Sequence, residues 1–236
     1  MCGIIGYTGR RGAADILLSG LKRMEYRGYD SAGIALHVAG EDDLVLIRRA
    51  GKIAQLESAL DENRAEISPA TLGIGHTRWA THGPPTEANA HPHLSRNGRF
   101  AIAHNGIIDN YLRLREKLSA RGYTFRSETD SEVIAHLIEE AYDGDLRAAV
   151  ANALEKLEGT YGIVVISPLH PGQIVAARRG SPLAVGVCRD ETLIASDVSA
   201  IVNHTDQVIF LDDGDLLTAT GDAMDITSQK NISVSR

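Results

Sequence analysis

Cysteine is nearly absent. Only Cys2 and Cys188 occur in 236 residues, too few for the disulfide framework of a small secreted fold, so a reducing, cytoplasmic setting is expected. Positive charge is in deficit as well: 24 Lys+Arg stand against 31 Asp+Glu, a net charge of −7. A nucleic-acid binder needs a cationic face to displace counterions, so no nucleic acid partner is expected. No apolar run approaches the ~20 residues that span a bilayer; the longest, at 161–166, is strand length, so no membrane is expected. The N-terminus, Met1-Cys2-Gly3-Ile4-Ile5-Gly6-Tyr7, has neither the charged nor the apolar stretch of a signal peptide. Walker A and GxGxxG strings are missing, so no nucleotide cofactor is expected.

What remains is a globular composition, 43% hydrophobic, without repeats, low-complexity linkers or heptads. Segment 2–7 reads as a short buried strand. Leu17, Leu21 and Met24 then follow helical spacing. Segments 33–38 and 44–49 read as paired strands around the acidic turn 40–43, and 72–79 starts as a strand that gives way to Gly/Pro-rich irregular sequence as far as Gly98. A strand at 100–104 leads into a helix carrying Ile107, Tyr111, Leu114 and Leu118. Thr129-Asp130-Ser131-Glu132 has the form of a capping box before Val133, Ile134, Leu137 and Ile138, and a further helix carries Leu146, Val150, Ala153, Leu154 and Leu157. After Gly159 the texture turns to short β segments at 161–166, 174–177, 183–187, 193–195, 208–211 and 216–220. Strands at both ends and helices between them predict one sandwich-like α+β domain with helices on its sheets.

Several segments carry donors and nucleophiles. Cys2 follows the initiator methionine, and removal of Met1 would put a thiol and a free α-amine on one residue. Their reference pKa values lie near 8.5 and 7.7–8.0, so one residue would supply nucleophile and base; the alternative is a small residue in a buried strand. Arg27, in the loop Arg27-Gly28-Tyr29-Asp30-Ser31, either supports the nucleophile or caps the preceding helix. In Gly75-His76-Thr77-Arg78-Trp79-Ala80-Thr81-His82-Gly83, Arg78 offers a bidentate fork for a carboxylate, and Thr81 with nearby backbone N–H groups would complete the nest. Asn105-Gly106 reads equally as an oxyanion hole of side-chain amide plus backbone N–H or as an ordinary turn joining strand to helix. Asp130 is placed in a first helical turn, where the dipole alone favours a carboxylate, or it binds an ammonium group. His76, His82, His91, His93 and His104 cluster in sequence but lack His-Glu-x-x-His spacing and a carboxylate trio, so no metal is expected.

Taken together, Cys2-Gly3-Ile4, the string from Leu21 to Gly33, His76 to Gly83, Asn89 to His93, His104 to Ile108, and Ser127 to Asp130 resemble the glutaminase domain of class II glutamine amidotransferases, which are N-terminal-nucleophile hydrolases. Within that class they resemble the branch that aminates a sugar phosphate, whose glutaminase domain precedes two sugar-isomerase lobes. The resemblance implies a four-layer αββα sandwich over 1–236, with no isomerase lobe in this chain and the polar end from Ser228 starting a linker. It implies L-glutamine as substrate, Cys2 as nucleophile, Asn105 and Gly106 as the oxyanion hole, and Arg27 as support for the nucleophile's loop. Arg78, Thr81 and His82 would take the substrate α-carboxylate, Asp130 its α-ammonium, and Trp79 would line the pocket. The implied partners are isomerase domains with a fructose 6-phosphate site, in a full-length homodimer. A stand-alone hydrolase, a catalytically silent glutamine-binding module and a histidine-based metallohydrolase are the alternatives.

Overall fold

The computed structural model describes residues 2–228. The chain opens with β1 (Gly3–Thr8), α1 (Ala13–Arg23), a 3₁₀ turn (Glu25–Arg27), β2 (Ser31–Val38), β3 (Leu44–Ala50), α2 (Ile53–Glu62), α3 (Arg64–Ile67) and β4 (Ala70–Arg78). The middle holds β5 (His93–Leu94), β6 (Ala101–Ile108), α4 (Tyr111–Ala120), α5 (Glu132–Ala141) and α6 (Leu146–Leu154). It continues with β7 (Gly159–Ile166), β8 (Ile174–Arg179), β9 (Ala184–Val187), β10 (Thr192–Ala195), β11 (Val208–Phe210), β12 (Asp215–Ala219) and β13 (Met224–Ser228).

These strands form two antiparallel sheets. The first has seven strands ordered β11-β9-β10-β1-β4-β2-β3, and the second six ordered β13-β12-β8-β7-β6-β5. Successive strand residues point to opposite faces, and here both faces are buried. On β1, Ile5 and Tyr7 pack with Leu17 and Leu21 of α1 and Leu56 of α2, while Ile4 turns to the other sheet. Ile4, Ala35 and Ile74 meet Ala101, Ala103, Val164 and Ala176 in the layer between the sheets. On the far side, Ile102, Ile163 and Val165 pack with Leu114, Ile134, Leu137 and Val150 of α4, α5 and α6. Three apolar layers separate four layers of structure: helices, sheet, sheet, helices. That is the αββα sandwich expected, and burial on both faces explains why its strands read as continuous apolar runs rather than alternating ones.

The local structure corrects several expectations. Ile107 belongs to β6, which runs unbroken through Asn105 and Gly106, and the following helix starts only at Tyr111. The capping box does not form: Ser131 is the N-cap of α5 and makes no side-chain capping bond. Asp130 therefore lies ahead of the helix, and the Glu132 carboxylate reaches back to the N–H groups of Arg126 and Ser127. Asp145 is the residue that caps, accepting from the N–H groups of Arg147 and Ala148 at the start of α6. The expected linker lies outside the described residues except for Ser228, which ends β13, and Met1 lies outside them too. No helix among the described residues is long and apolar enough to cross a membrane.

Candidate active site

Cys2 stands at the mouth of β1, in the middle of the seven-stranded sheet. The β1–β4 register sets Gly3 opposite Thr77, so the end of β4 arrives beside the thiol. There the Trp79 N–H donates to Cys2 Sγ at 3.2 Å. Asp30 holds that strand end from β2: its N–H donates to the Arg78 carbonyl at 2.8 Å, and its carboxylate accepts from the Ala80 N–H. Burial pushes the Cys2 thiol up, while the Trp79 N–H and the nearby Arg78 guanidinium pull the other way.

The other sheet supplies Asn105 and Gly106. Asn105 Nδ2 donates to the Cys2 carbonyl at 3.3 Å, and Asn105 Oδ1 lies 2.9 Å from His76 Nε2. The Asn-Gly pair is therefore strand and not a turn, with Asn105 opposite Gly162 and Gly106 opposite Tyr161 on β7. Gly106 takes φ 131°, and a Cβ there would come 2.2 Å from the Thr160 carbonyl oxygen. Only glycine fits this position.

A cleft with about 300 Å³ of empty space joins Cys2 and Gly106 to Arg78, Trp79, Thr81, His82 and Asp130. Arg78 is buried and donates to the carbonyls of His82, Gly83 (3.0 Å) and Pro84 (3.2 Å). Its fork thus clamps the turn that follows β4. Asp130 is also buried; it accepts from the Ile108 N–H at 2.8 Å and from the Ser131 hydroxyl at 3.3 Å. A buried guanidinium and a buried carboxylate, each fixed by neighbours, face one small cleft. That pairing suits a zwitterionic head group. Thr81 is exposed, and the half-buried His82 ring sits 5.3 Å from Tyr111.

A second, larger hollow opens on the other side of Cys2, with about 1010 Å³ of empty space bounded by Arg27, Trp79, Ile107 and Pro182. Arg27 lies there, 3.3 Å from the Asp197 carboxylate, so it ties the 3₁₀ turn to the segment after β10. Trp79 divides the two hollows, 53% exposed, with its ring against Gly28.

His76, His91 and His93 pack together in the interior, His76 stacked on His91 and His93 edge-on to it. His76 and His91 have ring centroids 4.2 Å apart, and His91 and His93 4.4 Å. Burial pushes His76 and His93 down to about 3 and His91 well below its usual value. Neutral rings packed this way serve as hydrogen-bonding core, and no group of three or more His, Cys, Asp or Glu side chains among the described residues is placed to hold a metal ion.

Asp30, Asn89 and Ser131 are site neighbours that sequence reasoning did not single out. Asn89 Nδ2 donates to the Pro84 carbonyl at 2.9 Å and its Oδ1 accepts from the Glu128 N–H at 2.9 Å. It thereby joins the turn held by Arg78 to the loop that carries Asp130. Its place in the string Asn89-Ala90-His91-Pro92-His93 was the only available signal. Cys188 is remote from the cleft, with its thiol directed at the His204 carbonyl.

Known proteins resemble this chain in sequence and in fold. The chain is 51% identical over 236 residues to a glutamine–fructose-6-phosphate aminotransferase (isomerizing) of Thermus thermophilus, a match covering 100% of this chain and 38% of that protein. A protein of the same name from Chlorobaculum tepidum is 48% identical, covering 98% of this chain and 38% of its own length. This chain thus spans well under half the length of these curated relatives. Among solved structures, the glutamine phosphoribosylpyrophosphate amidotransferase of B. subtilis superposes with a TM-score of 0.81 at 26% identity, over 97% of this chain and 49% of that one. A second, described as the allosteric regulatory enzyme of purine biosynthesis, gives 0.83 at 27%, over 98% and 50%. The family model described as glutamine amidotransferase domain matches residues 76–203, the stretch from the buried histidine of β4 past the last strand beside β1. By this match and the identity to these relatives, the chain belongs to the glutamine amidotransferase domain family.

Proposed function

We propose that residues 1–236 form one glutaminase domain that hydrolyses L-glutamine to L-glutamate and ammonia, with Cys2 as its N-terminal nucleophile once Met1 is removed. The observation that carries this reading is the convergence on Cys2 of one N–H donor from each sheet, Trp79 N to its sulfur and Asn105 Nδ2 to its carbonyl. In the proposed cycle the freed α-amine of Cys2, whose reference pKa is near 7.7–8.0, takes the thiol proton through water. The sulfur bonds to the side-chain amide carbon. Asn105 Nδ2 and the Gly106 N–H receive the oxyanion. Collapse breaks the C–N bond as the amine returns the proton to the leaving nitrogen, giving ammonia and a thioester on Cys2. Water then attacks the thioester and releases glutamate and the thiol.

Arg78, with Thr81 and His82, receives the substrate α-carboxylate in this reading, and Asp130 the α-ammonium. Arg27 supports the outer wall beside Cys2, and Trp79 borders the pocket. No cofactor is assigned. Because the curated relatives continue well beyond this region, we extend the proposal to the full-length protein: ammonia made here aminates fructose 6-phosphate in isomerase domains, within a cytoplasmic homodimer.

The test is glutamate and ammonia release from L-glutamine by the purified chain, with and without Cys2. Release that depends on Cys2 supports the reading. Release that survives Cys2→Ala overturns it.

A further inference from the structure

We infer that His76 is a positioning residue for the oxyanion hole: its Nε2–H holds the Asn105 amide oxygen, so that the Asn105 amide nitrogen faces Cys2. The inference rests on the proposed thiol amidase and goes beyond it by naming what fixes the orientation of its donor. An asparagine amide is a two-ended group, and rotation by half a turn exchanges donor and acceptor. With its nitrogen toward Cys2, Asn105 stabilises a developing oxyanion. With its oxygen there, it repels one.

The geometry around His76 removes that ambiguity. His76 Nε2 lies 3.1 Å from the His104 carbonyl oxygen, and a carbonyl oxygen only accepts, so Nε2 carries the proton. The same N–H lies 2.9 Å from the Asn105 amide, which must present its oxygen to it. Nδ2 is left on the other side, at 3.3 Å from the Cys2 carbonyl. The His76 ring is in turn immobilised. It is 1% exposed and stacked on His91, whose Nδ1 accepts from the His104 N–H at 3.3 Å. Burial also holds the ring neutral at working pH, so the tautomer demanded by the His104 carbonyl is the one present throughout catalysis.

The experiment compares His76→Phe, His76→Asn, His76→Gln, Asn105→Ala and the double variant His76→Phe/Asn105→Ala by steady-state ammonia release from L-glutamine. Phenylalanine keeps the ring volume and removes the donor. Asparagine places its amide nitrogen near the Nδ1 position, away from Asn105, whereas glutamine reaches the Nε2 position. Loss of an oxyanion donor costs on the order of 10²–10³ in kcat, and that loss is expected in the Phe and Asn variants with KM within ~3-fold of the parent. Glutamine is expected to recover kcat to within ~10-fold. Groups that act as one unit do not add, so the double variant is expected to be no slower than Asn105→Ala alone.

Binding of a glutamine analogue bearing a γ-aldehyde, which adds the Cys2 thiol to form a tetrahedral hemithioacetal, should weaken in parallel with kcat. Urea unfolding of each variant identifies any that fails to fold. Should His76→Phe fail, His76→Asn and His76→Gln carry the comparison. Unchanged kcat in the folded Phe or Asn variant, or losses that multiply in the double variant, would overturn the assignment. Activity that survives Cys2→Ala sinks the amidase reading itself, whereas activity lost there but retained in the His76 variants overturns the role of His76 alone.

Discussion

The backbone N–H of Trp79 meets the sulfur of Cys2 at 3.2 Å, although the two residues lie 77 positions apart in the chain. The contact follows from strand pairing. β4 runs antiparallel to β1, with Gly3 opposite Thr77, so the residues just beyond β4 lie beside the residue just ahead of β1. An amide donor aimed at sulfur favours thiolate over thiol and offsets part of the burial that pushes the thiol up. The same strand end carries Arg78, and the proposed nucleophile is thereby held in a fixed relation to the cation proposed for the substrate's carboxylate.

The two thiols are expected to separate cleanly. Cys2→Ala should abolish glutamine hydrolysis, while Cys188→Ala, which changes a thiol directed at the His204 carbonyl, should leave it within ~2-fold. A glutamine-like electrophile should label Cys2 only. Peptide mapping of the adduct to Cys188 would reverse the assignment.

Asn105→Ala and the head-group variants should fail in different constants. Removing the Asn105 donor should lower kcat by 10²–10³. Asp130→Asn keeps an acceptor for the Ile108 N–H but loses the charge for the ammonium, so its main effect should be on KM. Arg78→Lys should raise KM too, because a lysine cannot span the carbonyls of His82, Gly83 and Pro84 that the guanidinium now holds. An effect of Asn105→Ala on KM alone would contradict its place in the oxyanion hole.

The head-group clamp of the proposed function would act as a ruler. Asparagine is one methylene shorter than glutamine, which withdraws its amide carbon by about 1 Å, and a misplacement of that size costs ~10²-fold. Ammonia release from asparagine should therefore be slower by at least that factor. Comparable rates would remove the ruler.

Gly28 should control the Trp79 ring. Gly28 has φ 75°, and a Cβ there would come 2.7 Å from the indole. Gly28→Ala should displace the ring while leaving the core intact. Trp79 is the only tryptophan in the chain, so its fluorescence reports the change directly. A shift in emission is expected together with a lower melting temperature, because alanine is strained at φ 75°; unchanged emission would show that the ring does not rest on Gly28.

Acid should destabilise the fold through the histidine stack. Burial lowers His76 and His93 to about 3, while unfolded histidine titrates near 6.5. Between those values the unfolded chain binds protons that the native one does not. Stability is therefore fully present above pH 6.5 and is lost as pH falls toward 3, by up to ~1.4 kcal/mol per pH unit for each ring. Glu132 extends the loss to lower pH. Burial alone would raise it, but His136, Ser127 and the Arg126 N–H hold it down to about 2, so its contribution disappears between the usual carboxylate range and pH 2. Urea midpoints at pH 7, 6 and 5 should decline, and His76→Gln should make the decline shallower. A flat profile would refute the buried neutral stack.

Every residue proposed for the cleft was legible in the sequence as a chemical type: a thiol at position 2, a guanidinium at a strand end, an Asn-Gly pair, and an acid that the sequence placed in a first helical turn. Most strands were legible as apolar runs, and so was α1 by its spacing, whereas β5, β13, α2 and α3 were not read from the sequence. Other features were hidden because local signals competed with distant ones. Asn105-Gly106 has the composition of a turn, yet pairing with Gly162 and Tyr161 on β7 extends β6 through it, and no local propensity reports that pairing. The string at Thr129–Glu132 has the form of a capping box, but the Glu132 carboxylate accepts from the N–H groups of Arg126 and Ser127 instead, while the Thr129 N–H donates to the Ser127 hydroxyl. Residue types and most strand positions were thus determined by the sequence alone, since hydrophobic periodicity and side-chain chemistry are local properties. The orientation of those side chains was decided by the tertiary structure. Asn105 turns its nitrogen to Cys2 because His76, 29 residues earlier and on the opposite sheet, claims its oxygen, and that contact exists only once the two sheets have packed face to face.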